Sequence, residues 1–213
     1  IHSDIISMKY VNGMSIPKIL EFYNNMGILI SGSYISSRLI KPAYMDVFHQ
    51  EKEEMHKVGL EVSSYIQIDD TGTRVNGQNY YTQIICNDLY TAFFTTKRKN
   101  RLTVLDVLRN FESRSFLLND ETLLLLDQLV ISKKDLSLLS AYKQNTPYDE
   151  DEMQTILQTL YGTGSPRKRT KIMEACAITS YRQETGIAVV KVLVCDDAPQ
   201  FKLLTDELAL CWI

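Results

Sequence analysis

The chain has 213 residues, of which 45% are apolar, 23% charged and 9% aromatic, with 9 Gly, 5 Pro and a formal net charge of −3. This composition excludes disordered, collagen-like and low-complexity proteins, and the length allows a substantial core in one large domain or two modest ones. The charge excludes a globally basic nucleic-acid coat while leaving room for local basic patches.

The first 60 or so residues read as helical. Ser15-Ile16-Pro17 supplies a cap and a first-turn proline, and Ile16, Ile19, Leu20 and Tyr23 recur at helical spacing until Gly27 breaks the pattern. Ser31 or Ser33 can cap a second helix carrying Ile35, Leu39 and Ile40, which makes a helix-turn-helix outline. A third helix from Tyr44 to Val58, charged at Glu51, Lys52, Glu53, Glu54 and Lys57, is expected to end at Gly59. Residues 1–64 hold six basic groups (Lys9, Lys18, Arg38, Lys41, Lys52, Lys57) against seven acidic ones, so this region lacks the footprint of a strong DNA reader. His49 and His56 show no metal spacing, and His56 reads as a solvated helix residue.

From Tyr65 the texture becomes β-rich. Tyr65–Asp69, Tyr80–Cys86 and Leu89–Thr95 read as three strands of an antiparallel meander, with turns at Gly72, Asn76-Gly77 and Asn87-Asp88. A helix through Leu102, Leu105, Val107 and Leu108 follows. Helical pattern then continues to about residue 182, opened at Asn119 and Asp149 and broken at Gly162–Pro166. Ile187–Cys195 is the most apolar β-branched run and suits a strand buried on both faces. A helix is expected from Gln200 to the end. The four cysteines (Cys86, Cys176, Cys195, Cys211) have no CxxC pair and read as reduced thiols of an intracellular protein, and no run of about 18 apolar residues spans a membrane. Ile1 is not an initiator Met, and Leu208–Ile213 stops in apolar sequence, so the chain reads as a fragment of a longer one.

Two strand candidates end in paired acids, Asp69-Asp70 and Asp196-Asp197. An aspartate after a strand is often a turn residue or a helix cap, and the spacing leaves that reading open. Were the two strands adjacent, the carboxylates would repel unless a cation lay between them, and hard oxygen ligands favour Mg²⁺ or Mn²⁺. Two basic clusters, Lys97-Arg98-Lys99-Asn100-Arg101 and Arg167-Lys168-Arg169-Thr170-Lys171, are dense enough for phosphate contacts, although such runs are most often solvated faces.

The order of meander, helix and acid-ended strand resembles a ribonuclease H-like core. Gln67–Gly72, Arg74–Gly77 and Leu193–Phe201 resemble the catalytic segments of bacterial insertion-sequence DDE transposases, as do Leu208–Trp212, Gly27–Ser31 and Lys97–Leu108. The resemblance implies an α/β fold: a helical, helix-turn-helix-like region over 1–62, then a ribonuclease H-like mixed sheet over 63–213 with a helical insertion at about 112–183. It implies metal-dependent DNA cleavage and strand transfer at transposon ends. Asp69 and Asp196 would be the catalytic acids holding two Mg²⁺ or Mn²⁺, with Asp70 and Asp197 the second candidates. If Asp69 faces the site, strand alternation turns Asp70 away toward turn amides. DNA would be met by Lys97, Arg98, Lys99, Arg101, Arg167, Lys168, Arg169 and Lys171. The family's third acid, a Glu, would lie past residue 213, Glu207 reading as a surface helix position, and a chain without that acid would cleave little. A homo-oligomer in the bacterial cytoplasm, at the nucleoid, belongs to the same expectation. Other ribonuclease H-like nucleases or integrases, or a DNA-binding remnant, are the alternatives.

Overall fold

The computed structural model describes the backbone of residues 1–40 and 42–211, and the side chains of those residues except 42–44. Lys41 and Trp212, both named above, lie outside the described residues. The chain divides into two compact units, Ile1–Met55 and His56–Ile213.

In the first unit, α1 (His2–Ile6) runs into a π-helical turn (Ser7–Val11), followed by α2 (Ile16–Asn25) and α3 (Gly32–Ile40). Ile5, Ile19, Tyr23, Ile35 and Leu39 form its core, the helical spacing having put them on facing sides. Pro17 lies in the first turn of α2, and Gly27 takes the positive φ of +75° that closes it. The Ser31 hydroxyl caps α3 by accepting from the Tyr34 amide at 3.0 Å. A long α4 (Pro42–Val62) begins in this unit and ends in the second.

The second unit is built on five strands: β1 (Ile66–Val75), β2 (Gln78–Cys86), β3 (Thr91–Thr96), β4 (Val192–Cys195) and β5 (Glu207–Leu210), in the order β3-β2-β1-β4-β5. The β3-β2-β1 part is antiparallel, whereas β4 and β5 run parallel to β1. Between β3 and β4 come α5 (Arg101–Leu108), α6 (Asp120–Gln128), α7 (Lys133–Ser140), α8 (Glu150–Tyr161) and α9 (Pro166–Arg182). Asn100, Asn119, Ser132 and Asp149 each cap the helix that follows, as polar residues just ahead of an apolar periodic run do. The helices share one continuous core with Ile66, Ile68, Ile85, Phe94 and Leu193 of the sheet, so in space they form a layer on it. At its centre is α9, buried from Ile172 to Tyr181. Among the described residues no helix is long and apolar enough to cross a membrane.

Four details differ from what the sequence leads one to expect. Gly72 makes no turn. β1 continues through it to Val75 and reverses only at Asn76-Gly77, where both residues take positive φ as a two-residue hairpin requires. β4 is four residues long because the Val190 amide donates to the Tyr181 hydroxyl (2.8 Å) instead of a neighbouring strand. The region after Gln200 holds β5, whose exposed residues pair with β4, in place of a helix, so Glu207 is a strand residue.

The fourth concerns the end of α4. Gly59 does not terminate the helix, and His56 is fully buried instead of solvated. The His56 ring donates from Nε2 to the Val107 carbonyl (2.8 Å) and meets the Tyr90 hydroxyl at Nδ1 (3.2 Å). Burial, with a smaller contribution from Cys86, pushes the Tyr90 phenol up to about 12, so it stays a donor. A Cβ on Gly59 would fall within 3.0 Å of three Tyr90 ring carbons. Gly59→Ala is therefore expected to lower stability by about 1–3 kcal/mol, although alanine is the better helix former. Urea unfolding checks this, and an unchanged midpoint would mean that the Tyr90 ring moves aside freely.

Candidate functional site

Parallel pairing of β1 with β4 sets Ile66 beside Leu193 and Gln67 beside Val194. Counted on from there, Asp69 comes level with Asp196, the first residue after β4. The acid pair that follows β4 therefore lies level with the acid pair in the middle of β1.

Because β1 runs on unbroken, its alternation decides which acid faces inward. Ile66, Ile68 and Asp70 share the face that packs under the helices, and Asp69 lies exposed on the other. The two acids lie on opposite faces as strand alternation requires, and it is the Asp69 carboxylate that accepts a local amide, that of Asp70 (2.7 Å). The Asp70 side chain is only 4% exposed. Its Oδ1 accepts from Lys99 Nζ (3.0 Å) and its Oδ2 from Gln200 Nε2 (2.7 Å). Lys99 also lies 5.5 Å from the centre of the Tyr81 ring. Its ammonium pKa is raised, first by the hydrogen bond to Asp70 and that carboxylate's charge, then more weakly by Tyr81 and Asp196.

Asp196 accepts the Ala198 amide (3.0 Å), closing a small turn beyond β4. Asp197 is exposed and paired with Lys202 at 2.7 Å, outside the cluster. The Cys195 thiol is pushed up to about 11, by burial first and then by Asp196 and Asp197, so it is no nucleophile. Among the described residues no group of three or more His, Cys, Asp or Glu is arranged to hold a metal ion. What the structure does place together there is the Asp70 carboxylate with the Lys99 ammonium and the Gln200 amide.

The basic residues divide into two sets. Lys97, Arg98 and Arg167 are exposed, and Arg98 lines a cleft of about 370 Å³ together with Arg114, Arg169 and Thr170. The others face their own fold. Lys168 pairs with the largely buried Asp135 (2.8 Å), Lys171 donates to the Leu129 carbonyl (2.7 Å), and Arg169 donates to Gly162, Gln158 and Gln154. Arg101 is an internal tie: it donates to Glu174 on α9, to the Pro199 carbonyl (2.7 Å) and to the Lys202 carbonyl (2.9 Å). It thereby fixes the loop that carries Gln200 to Asp70.

Sequence reasoning misses Glu174 and Gln200. A lone acid inside Ile172-Met173-Glu174-Ala175-Cys176 is a legible signal, since a carboxylate in an apolar helix needs a partner. Nothing local marks Gln200. Both Arg101 and Glu174 are about nine-tenths buried, so Arg101→Ala is expected to cost about 3–5 kcal/mol by stranding the carboxylate. Glu174→Gln, which removes the charge and keeps an acceptor, costs less. Urea denaturation of both variants measures this order, and equal losses would refute the tie.

The chain is 30% identical over 162 residues to the uncharacterized protein y4jO of Sinorhizobium fredii (strain NBRC 101917 / NGR234), a match covering 75% of this chain and 49% of that protein. The chain thus spans about half the length of the curated relative it matches. No protein-family model matches it, and no solved structure does.

Proposed function

We propose that this chain carries part of a ribonuclease H-like phosphodiester-transfer core of the insertion-sequence DDE transposase kind, acting on DNA with two Mg²⁺ or Mn²⁺. The observation that carries the reading is the strand order β3-β2-β1-β4-β5, antiparallel then parallel, with acids on β1 and just after β4 brought to one level. The resemblance of Gln67–Gly72 and Leu193–Phe201 to transposase catalytic segments supports it from the sequence side.

In this reading Asp70 and Asp196 are the oxygen donors, Asp69, level with Asp196 but on the other face of β1 from Asp70, is the alternative to Asp70, and Asp197 pairs with Lys202 instead. Divalent ions bound there supply nucleophile activation and leaving-oxygen stabilisation. The protein's own part is positional. Gln200 holds Asp70, the Asp196 turn holds its carboxylate at the strand end, and Lys99 neutralises the site until a cation displaces it. Lys97, Arg98 and Arg167 then meet phosphates along the neighbouring surface. DNA as partner, paired copies on transposon ends and a place at the nucleoid belong to the same proposal.

Titration calorimetry with Mn²⁺ tests the site. Asp70→Asn and Asp196→Asn are each expected to weaken binding at least tenfold, and unchanged affinity in both would remove the metal reading. Lys99→Met is expected to strengthen Mn²⁺ binding severalfold by removing a competing cation. It also leaves the Asp70 carboxylate, 4% exposed, with the Gln200 amide as its remaining side-chain partner, so a stability loss of about 1–3 kcal/mol accompanies the gain in affinity. For DNA, a Lys97→Ala, Arg98→Ala, Arg167→Ala triple variant is expected to flatten the dependence of log affinity on log salt by about 0.9 for each phosphate no longer neutralised. An unchanged slope would place DNA elsewhere.

A further inference from the structure

Gln83 lies on β2 directly opposite Asp70 of β1 and directly opposite Phe94 of β3, so the three side chains form one row across the inward face of the sheet. It is fully buried, yet neither its Oε1 nor its Nε2 has a hydrogen-bond partner among the described residues. Its neighbours along the same face of β2 are Tyr81, over whose ring Lys99 reaches, and Ile85, which is core. A primary amide in that position is costly, because a buried donor or acceptor left unsatisfied forfeits the hydration it had in the unfolded chain. An apolar side chain of the same length would fill the space without that loss.

Asp70 supplies the reason to keep an amide there. Its two oxygens are taken by Lys99 and Gln200. Any cation that binds Asp70 competes with the ammonium of Lys99, and when the lysine withdraws, Oδ1 gives up the hydrogen bond that the ammonium supplied. With the Gln200 amide already on Oδ2, the amide without a partner that stands directly across from Asp70 on the same face, one strand away, is that of Gln83. We propose that Gln83 is a positioning residue for Asp70: its Nε2–H donates to the carboxylate once Lys99 has left, and its Oε1 accepts from water held at the same site. The role rests on the metal reading given above and deepens it by adding a residue that touches neither ion nor DNA. A second-layer partner of this sort fixes the orientation of a ligating carboxylate, and removing it typically weakens metal binding 10–100-fold.

The test compares wild type with Gln83→Met, which keeps the length and apolar bulk, and Gln83→Asn, which keeps the amide but withdraws it by one methylene. Melting without added metal and Mn²⁺ calorimetry are both read on the same chain. Gln83→Met is expected to melt about 2–6 °C higher than wild type without added metal, since it removes unsatisfied polar atoms, and to bind Mn²⁺ at least tenfold more weakly. Gln83→Asn should fall between the two in affinity. A higher melting temperature with unchanged Mn²⁺ affinity would overturn the positioning role and leave the metal site standing. A lower melting temperature for Gln83→Met, or a failure to fold while Gln83→Asn binds Mn²⁺ as wild type does, would overturn it as well. If wild type itself gives no saturable Mn²⁺ binding, the metal reading falls and the role of Gln83 falls with it.

Discussion

The short parallel contact between β1 and β4 is the constraint on which the second unit depends. Two register pairs, Ile66 with Leu193 and Gln67 with Val194, join strands separated by the whole helical layer. Parallel strands cannot be linked by a tight turn, so the intervening chain has to be long enough to return to the same end of the sheet. Here it returns through α5–α9, and the apolar residues that make β4 attractive to β1 also make the helices stay on the sheet. The acids gain their proximity from this pairing, because they sit on backbone that apolar burial has already fixed.

Charge is then arranged around that proximity with few groups. Lys99 is carried in by the β3–α5 connection, Gln200 by the loop after β4, and Arg101 braces that loop against α9 through Glu174. The Gln200 and Arg101 ties connect the meander half of the sheet to the β4 half, and Lys99 ties the end of β3 to β1 within the meander. The carboxylate on β1 is therefore held by residues distant in sequence, and its inward orientation follows from the unbroken run of β1 to Val75. The first unit takes its order from a small apolar core instead.

Much of this is legible in the residues themselves. Asn76-Gly77 announces the hairpin and Asn119 and Asp149 announce helix starts, because each rests on short-range chemistry, while of the Ile187–Cys195 run only Val192–Cys195 is strand. The misses are of another kind. Gly72 reads as a turn because glycine often is one, and only the pairing with Tyr81 across the hairpin shows a strand running through it. His56 and Gly59 read as surface and stop signals, since nothing in their own helix foretells Tyr90 arriving from 31 residues beyond Gly59. Arg101 reads as a phosphate contact because its partners Glu174, Pro199 and Lys202 are remote.

The hydroxyl of Tyr181 at the foot of β4 has a reach well beyond its own hydrogen bond. Val189, Val190, Val192 and Val194 are so alike that sliding this segment by two places would leave the inside-outside pattern almost intact, and oiliness alone is a poor ruler for such a ribbon. Pinning residue 190 to α9 removes that freedom. With burial pushing the phenol up to about 12, the peg holds across the whole physiological pH range. The height at which Asp196 emerges is thus set six residues upstream, by an aromatic alcohol carried on α9.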